Sequence, residues 1–401
     1  MLETARHDGC FFELPHSRGV RNVPKSVEAA GRVEKRVAMS GQTMVMLHYL
    51  QGAEAHFLQQ VDFAEMGYEQ LLAEFRGFKS LRSHGMALEF KRLGWNVVEI
   101  FGDFRELQAK WAVEHDLPVP EEGWMDRITM AQLDHYRPEA VFCDDISRYP
   151  ADYLSQRPGY VRCLAAMQGF PMHFKQLAHT DVVFACTPSI AMVFRDCGIN
   201  VELVYHSFDP SVASGLPERT EDHGFIFTGH SGYGFDWHHR TRYELLRWLL
   251  ASSPLEAWLT ERDMTLFPDI EDPLRELFPH NTHGPVYGMD MYRLMNASKV
   301  VLNIHTDAAY GDTGNMRTFE ACGVGVCMLV EHSPNIADLY EPDAEVVTYR
   351  TREECREKAL YLLENEAVRR EIGRRAGERT RSSHLAEHRT RQMHESMLRH
   401  L

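Results

Sequence analysis

No apolar run in this 401-residue chain reaches 18 residues, and the longest, such as Val182–Cys186 and Val324–Val330, have only strand length. A membrane-spanning helix is thereby excluded. Met1–Pro15 mixes His, Asp, Glu and Arg with no apolar core segment, so no secretory signal is expected there. Paired cysteine spacings are missing too. None of the eight cysteines forms a C-x-x-C, and several sit inside apolar patterns where a thiol acts as a small hydrophobe. A reducing, cytoplasmic setting without a zinc site or disulfide framework is expected. Basic charge is in deficit, with 43 Lys and Arg against 58 Asp and Glu, a net −15. Such a chain repels a polyanion, which argues against a nucleic-acid partner. Lysine is scarce, 8 of the 43 basic residues, and only Lys299 and Lys358 fall in the second half. That discounts a phosphorylase needing a pyridoxal lysine.

What is there is ordinary globular material, 44% hydrophobic and 25% charged, enough for two sizeable cores. Residues 1–42 have no sustained apolar period and read as a poorly ordered extension. From Met44 the pattern alternates strands and helices: strands at Met44–Leu50, Asn96–Phe101, Ala140–Cys143, Asp181–Cys186 and Val201–Tyr205, with helices between. Asp209–His223, with two prolines and mixed charge, reads as a linker. The alternation then restarts with strands Gly224–Thr228, Val300–Ile304 and Val326–Val330, and helices Arg240–Leu250 and Met316–Gly323. Thr351-x-x-Glu354 is a capping box for a helix to about Glu364. The expected class is α/β with two doubly wound parallel domains, residues 43–212 and 213–385, and a C-terminal helix over 386–401.

Open α/β sheets bind ligands beyond the carboxyl ends of their strands. Two places fit. Thr228-Gly229-His230-Ser231-Gly232-Tyr233-Gly234 follows a strand and leads to Arg240 and Arg242 at a helix start. Glycines let backbone N–H groups approach a phosphate, a helix N-terminus adds positive charge, and arginine forks match phosphate oxygens. The competing reading is a plain turn with two solvated arginines. The loop is neither a Walker A nor a G-x-G-x-x-G with its partner acid. The second place is Gly311 to Val326, after Asn303-Ile304-His305. Its helix carries Arg317 and Glu320 one turn apart on an otherwise apolar segment. An unpaired carboxylate there is costly, so Glu320 needs partners: hydroxyls of a ligand, or simply Arg317.

These residues carry a resemblance to a family. Ser298-Lys299-x-x-Leu302-Asn303-Ile304-His305, Arg317-Thr318-Phe319-Glu320-Ala321, Asp338-Leu339-Tyr340 and Ser383-His384 are similar to the C-terminal domain of the group 1 glycosyltransferases, in the branch related to the spore maturation protein CgeB. Upstream, Phe227-Thr228-Gly229-x-Ser231 and His206-Ser207-Phe208-Asp209-Pro210 resemble that branch too. The resemblance implies a GT-B fold, two facing Rossmann-like domains, and a nucleotide-sugar donor bound mostly by the second. The related retaining enzymes carry an E-x7-E motif. Glu320 stands at its second acid, implied to hold the ribose hydroxyls, and Asp312, one methylene shorter, at its first. The implied donor site comprises Gly229, His230, Ser231, Gly232, Arg240, Arg242, Tyr287, Asn303, His305, Gly314, Asn315, Met316, Arg317 and Glu320. No metal and no cofactor are expected, because basic side chains and helix ends neutralise the diphosphate.

The cleft base is open between Asp103, His206 and His84, each near an expected cleft position, with Asp312 at the donor sugar. Asp144-Asp145 reads only as a pair of acids after a strand. Two basic stretches, Arg18 to Arg36 and Arg76 to Arg92, are read either as solvated helix faces or as a weak contact with an anionic membrane at its inner face. The function expected is transfer of a sugar from a nucleoside-diphosphate donor to a glycan, lipid-linked or protein acceptor. The alternatives are a catalytically silent GT-B domain that binds nucleotide-sugar as a scaffold subunit, and a nucleotide-sugar epimerase of the same fold.

Overall fold

The computed structural model describes residues 41–50, 52–79, 83–146, 157–172, 177–233, 239–260 and 273–401. The expected extension lies outside them except for its last two residues.

Ten parallel strand pairings build two sheets of six strands each. The first contains β1 (Thr43–His48), β2 (Asn96–Phe101), β3 (Ala140–Cys143), β4 (Cys163–Gln168), β5 (Val182–Ala185) and β6 (Val201–Leu203), in the order β2-β1-β3-β4-β5-β6. The second contains β7 (His223–Gly229), β8 (Leu255–Leu259), β9 (Thr282–His283), β10 (Ser298–Asn303), β11 (Cys327–Glu331) and β12 (Val347–Tyr349), in the order β12-β11-β10-β7-β8-β9. Strands covered by helices on both faces are apolar throughout, as β3, β4 and β5 are. Each order reverses once, between β1 and β3 and between β10 and β7. At those switch points the strand-to-helix loops part and leave a crevice.

The helices that matter below are α1 (Tyr68–Phe78), α2 (Ser83–Arg92), α3 (Pro188–Asp196), α4 (Arg240–Ser252), α5 (Gly288–Asn296), α6 (Met316–Val324), α7 (Arg352–Glu364), α8 (Glu366–Ser383) and α9 (Ala386–Leu398). The first turn of α3 is fixed by Thr187, whose hydroxyl accepts from the Ile190 N–H, and by Pro188. At α7 the Thr351 hydroxyl accepts from the Glu354 N–H at 3.1 Å. The Glu354 carboxylate returns to the Arg350 N–H at 2.7 Å, one residue before the position a capping box predicts.

The linker is more structured than its composition suggests. Asp209 caps a short 3-10 turn, Pro210–Gly215. Just before it, Phe208 is clamped to the returning chain: its N–H donates to His384 O at 2.9 Å, and its carbonyl accepts from the Ala386 N–H at 3.0 Å. The two crossings between the sheets therefore run side by side. Beyond the second, α9 buries Ala386, Met393 and Met397 among Met86, Phe90 and Trp95 of the first sheet's core. Trp95 Nε1 donates to His394 Nδ1 at 2.9 Å. Both sheets belong to one compact unit.

Phe208 is buried against Gly323 of α6, where an added Cβ would overlap its ring. Gly323→Ala overpacks that crossing and should cost about 1–3 kcal/mol. Urea denaturation reads it; an unchanged midpoint would mean that the ring moves aside freely.

Candidate active site

A cavity of about 380 Å³ opens between the two sheets, within the size range of small-molecule sites. From the second sheet it is lined where β7 and β10 part, and from the first where β1 and β3 part, by Gly229, Arg242, Asn303 and Glu320 on one side and Tyr49 and Asp144 on the other.

Among the described residues of the glycine-rich loop after β7, Gly229 lines the cavity. Gly229 has φ 142°, a left-handed conformation that a side chain would strain. His230, Ser231 and Gly232 shape the loop behind it: His230 Nδ1 accepts from the Gly232 N–H at 2.8 Å and Ser231 Oγ from the Tyr233 N–H at 3.2 Å.

The two arginines of α4 separate. Arg240 is exposed and off the cavity. Arg242 lines it, donating to the carbonyls of Ile304 at 2.9 Å and His230 at 3.4 Å. Burial pushes its guanidinium down to about 10, which leaves it charged at neutral pH. Its Nε has no partner, and no carboxylate pairs with it within 4 Å among the described residues. The N-terminus of α6 adds to that positive field, with Asn315, Met316 and Arg317 on the cavity wall. Asn315 and Asn303 hold each other through two amide bonds of 3.0 and 2.7 Å.

Glu320 is buried and forms the ion pair considered for it. Arg317 donates to its Oε2 at 2.7 Å, so the ion pair is present. Among the described residues Oε1 accepts from the Tyr292 hydroxyl alone, at 3.4 Å, and the carboxylate lines the cavity. Arg317 is held in turn by the hydroxyl of Thr228 at 2.8 Å.

Asp312 is buried on the cavity wall, yet its Oδ2 accepts from the Ser189 N–H of α3 at 2.7 Å. It binds the positive end of a helix on the first sheet. Gly314 packs beside it, where a Cβ would overlap the Cys186 carbonyl, and so serves closure of the cleft without lining the cavity.

His305 lines the cavity, with Nε2–H donating to the Glu331 carbonyl at 3.1 Å and Thr313 Oγ1 at 2.8 Å from the same nitrogen. A carbonyl only accepts, so the proton is on Nε2 and Nδ1 is a bare, buried acceptor. Tyr287 and His206 also line the cavity. His206 passes its carbonyl to Arg389 Nε at 3.3 Å. Asp103 does not line it: both its oxygens accept from the Leu50 N–H, at 3.0 and 2.8 Å, which secures the turn after β1. His84 lies in the first turn of α2, with its side chain outside the described residues.

The first sheet contributes side chains that sequence reasoning passed over: Tyr49, Asp144 and Asp145, Gln168, and Cys186 with Thr187. All lie at or just beyond the carboxyl ends of β1, β3, β4 and β5. The strand-end rule applied to the first sheet as to the second would have found them. No three His, Cys, Asp or Glu side chains converge to hold a metal ion among the described residues. No helix there is long and apolar enough to cross a membrane.

Residues 244–395 match the family model described as "Glycosyl transferase-like". Comparison with curated proteins finds no match. Among solved structures, sucrose-phosphate synthase from Thermosynechococcus elongatus superposes with a TM-score of 0.57 at 13% identity, covering 90% of this chain and 99% of that one. HepE from Anabaena in complex with UDP-glucose gives 0.59 at 12% identity, covering 90% and 100%. A glycosyltransferase from Rickettsia africae gives 0.55 at 11% identity, covering 90% and 98%. The architecture is thus the GT-B fold.

Burial lowers two histidines to about 4, His305 on the cavity and His384 beside Phe208. Unfolded, each titrates near 6.5. The unfolded chain therefore binds more protons between those values, and stability present above pH 6.5 is lost as pH falls toward 4. Melting temperature measured from pH 7 to 4 should drop across that window, and His305→Asn should flatten part of the drop. An equal slope in the variant would assign the loss elsewhere.

Proposed function

We propose that this chain transfers a sugar from a nucleoside-diphosphate donor to an acceptor hydroxyl without a metal ion. The observation that carries the reading is Arg242, a half-buried cation facing the same cavity as the α6 N-terminus and Glu320. That set matches a diphosphate next to a ribose. The family model over residues 244–395, which holds most of these residues, supports it, as does the HepE structure solved with UDP-glucose. The Arg317-Thr318-Phe319-Glu320-Ala321 motif supports a narrower place beside the CgeB-related branch.

In this reading charge builds on the leaving diphosphate, and preorganised donors aimed there lower the barrier. Arg242 and the N–H groups of α6 supply them. Glu320 accepts from the ribose hydroxyls through lone pairs that Arg317 leaves open, and the ion pair fixes the carboxylate's direction. Ligand binding and ion pairing are complementary here.

Calorimetry with UDP, GDP, ADP, CMP and TDP tests the reading; binding of none overturns it. For the diphosphate that binds, Arg242→Ala should weaken binding by about 10-fold or more, and the parent nucleoside far less. Arg240→Ala should change neither, because Arg240 is exposed and off the cavity. Equal losses for diphosphate and nucleoside would remove the phosphate role.

Glu320→Ala should lose about 10²-fold in diphosphate affinity, and Glu320→Gln less, since its amide oxygen still accepts. Both should lower the melting temperature, because Arg317 is left with a weaker partner. The decisive comparison is the 2′-deoxy diphosphate. Wild type should bind it more weakly than the ribo form, and Glu320→Ala should bind the two alike. Discrimination that survives in the variant would take the ribose contact away from Glu320.

A further inference from the structure

A polar row crosses the first sheet at its switch point. Met46 pairs with Glu99 across β1 and β2, and His48 lies two residues further along β1 on the same face. The apolar neighbours on that face include Met44, Met46 and Phe142. Glu99 and His48 are buried, and Asp144 follows β3 at the next position of the row.

The row runs from helix to cavity with one gap, at His48 Nε2, which makes no hydrogen bond. Arg76 Nε of α1 donates to Glu99 Oε2 at 2.8 Å. The other Glu99 oxygen lies 3.8 Å from His48 Nε2. His48 Nδ1–H donates to Asp144 Oδ2 at 2.9 Å, and the Tyr49 N–H to Asp144 Oδ1 at 3.2 Å. Asp144 is the member of the row that lines the cavity.

Burying Glu99 and His48 costs desolvation that an apolar row avoids. The row does one thing an apolar row cannot. It fixes the direction of a carboxylate at the cavity wall, with both oxygens oriented by donors behind it. Asp144 also stands on the first sheet, facing the side where Arg242 and Glu320 lie.

We propose that Asp144 is the catalytic residue that receives the acceptor's proton, with His48 as its positioning residue. The inference rests on the donor reading above. As the acceptor oxygen forms its bond to the sugar's anomeric carbon, the bond from that carbon to the diphosphate oxygen breaks. Its electron pair leaves with the diphosphate, and the acceptor O–H proton passes to Asp144, then to solvent. Water can replace the acceptor with the same balance.

Water is therefore the probe. The glucose conjugate of whichever nucleoside diphosphate binds is incubated with the protein, and released nucleotide is followed in wild type, Asp144→Asn, His48→Leu and His48→Asn. Asp144→Asn keeps the shape and should lower release by about 10²-fold or more, the usual worth of a general base. Nucleoside-diphosphate affinity should stay within twofold, which also shows that the variant folds. His48→Asn places an amide donor near the lost Nδ1–H, so it should retain more release than His48→Leu at equal diphosphate affinity. A merely structural row predicts loss of melting temperature in both without that difference. Wild-type release in Asp144→Asn overturns the assignment. So does a wild type that binds the diphosphate yet releases none from the sugar nucleotide, since a carboxylate poised beside the donor would activate water. Failure of every diphosphate to bind sinks the donor reading first, before any variant is made, and the base assignment falls with it.

Discussion

The polar chemistry of the cavity depends on one close approach, that of Gly314 to the Cys186 carbonyl. No side chain fits between them. With the loop pressed there, Asp312 reaches the Ser189 N–H at 2.7 Å and caps α3 from the opposite sheet. The same loop continues into α6, so docking the loop on the first sheet also aims the N-terminus of α6 at the crevice. A second approach supports it: Gly288 of α5 packs against the Phe78 carbonyl, again with no room for a Cβ. Lys79 Nζ adds a bond to Asp209 at 3.2 Å beside the crossing. Backbone contacts at two glycines thus set the spacing of the sheets, and a carboxylate and a lysine hold it.

That spacing decides the electrostatics. Arg242 is desolvated because the β7 and β10 loops close over it, and the carbonyls of Ile304 and His230 orient it without cancelling its charge. Glu320 is neutralised by Arg317 at 2.7 Å, and Asp312 sits on a helix N-terminus. Two of the acids on the second sheet's side of the cavity are therefore paired, and Arg242, with no carboxylate within 4 Å among the described residues, becomes the dominant field there. In a low-dielectric crevice one such charge acts over a longer range than a surface arginine does.

Much of this was legible in the sequence, for identifiable reasons. The strand–helix alternation predicted two doubly wound sheets, and β2 and β3 lie at the expected residues because Val, Ile and Phe mark them. β4 was not anticipated. Cys163–Gln168 is built of small and flexible residues with low strand preference, and being buried on both faces it shows no alternation. The linker hid its order for a different reason: Phe208 is held by His384 and Ala386, partners far away in sequence. Arg240 and Arg242 could not be ranked from sequence because both follow the same loop, and the turn of α4 alone separates them. Asp103 had the right address, just after a strand, but the local chain took both its oxygens for the Leu50 N–H.

The first sheet's contribution escaped notice for a reason that bears on how such sites are read. Asp144-Asp145 carries no spacing motif, and a lone acid after a strand is common. What marks Asp144 is the company behind it. His48 and Glu99 each interrupt an otherwise apolar strand, in Thr43–His48 and Asn96–Phe101. His48 alone reads as a strand-end residue and Glu99 as a single polar residue within a strand. Parallel pairing of β1 with β2 and β3 puts the two on one face and in line with Asp144, which only the register reveals. A buried polar row is costly enough that its direction carries information. It runs from the partly exposed Arg76 inward to the cavity wall, where His48 and the Tyr49 N–H orient the Asp144 carboxylate on the same cavity as Arg242 and Glu320.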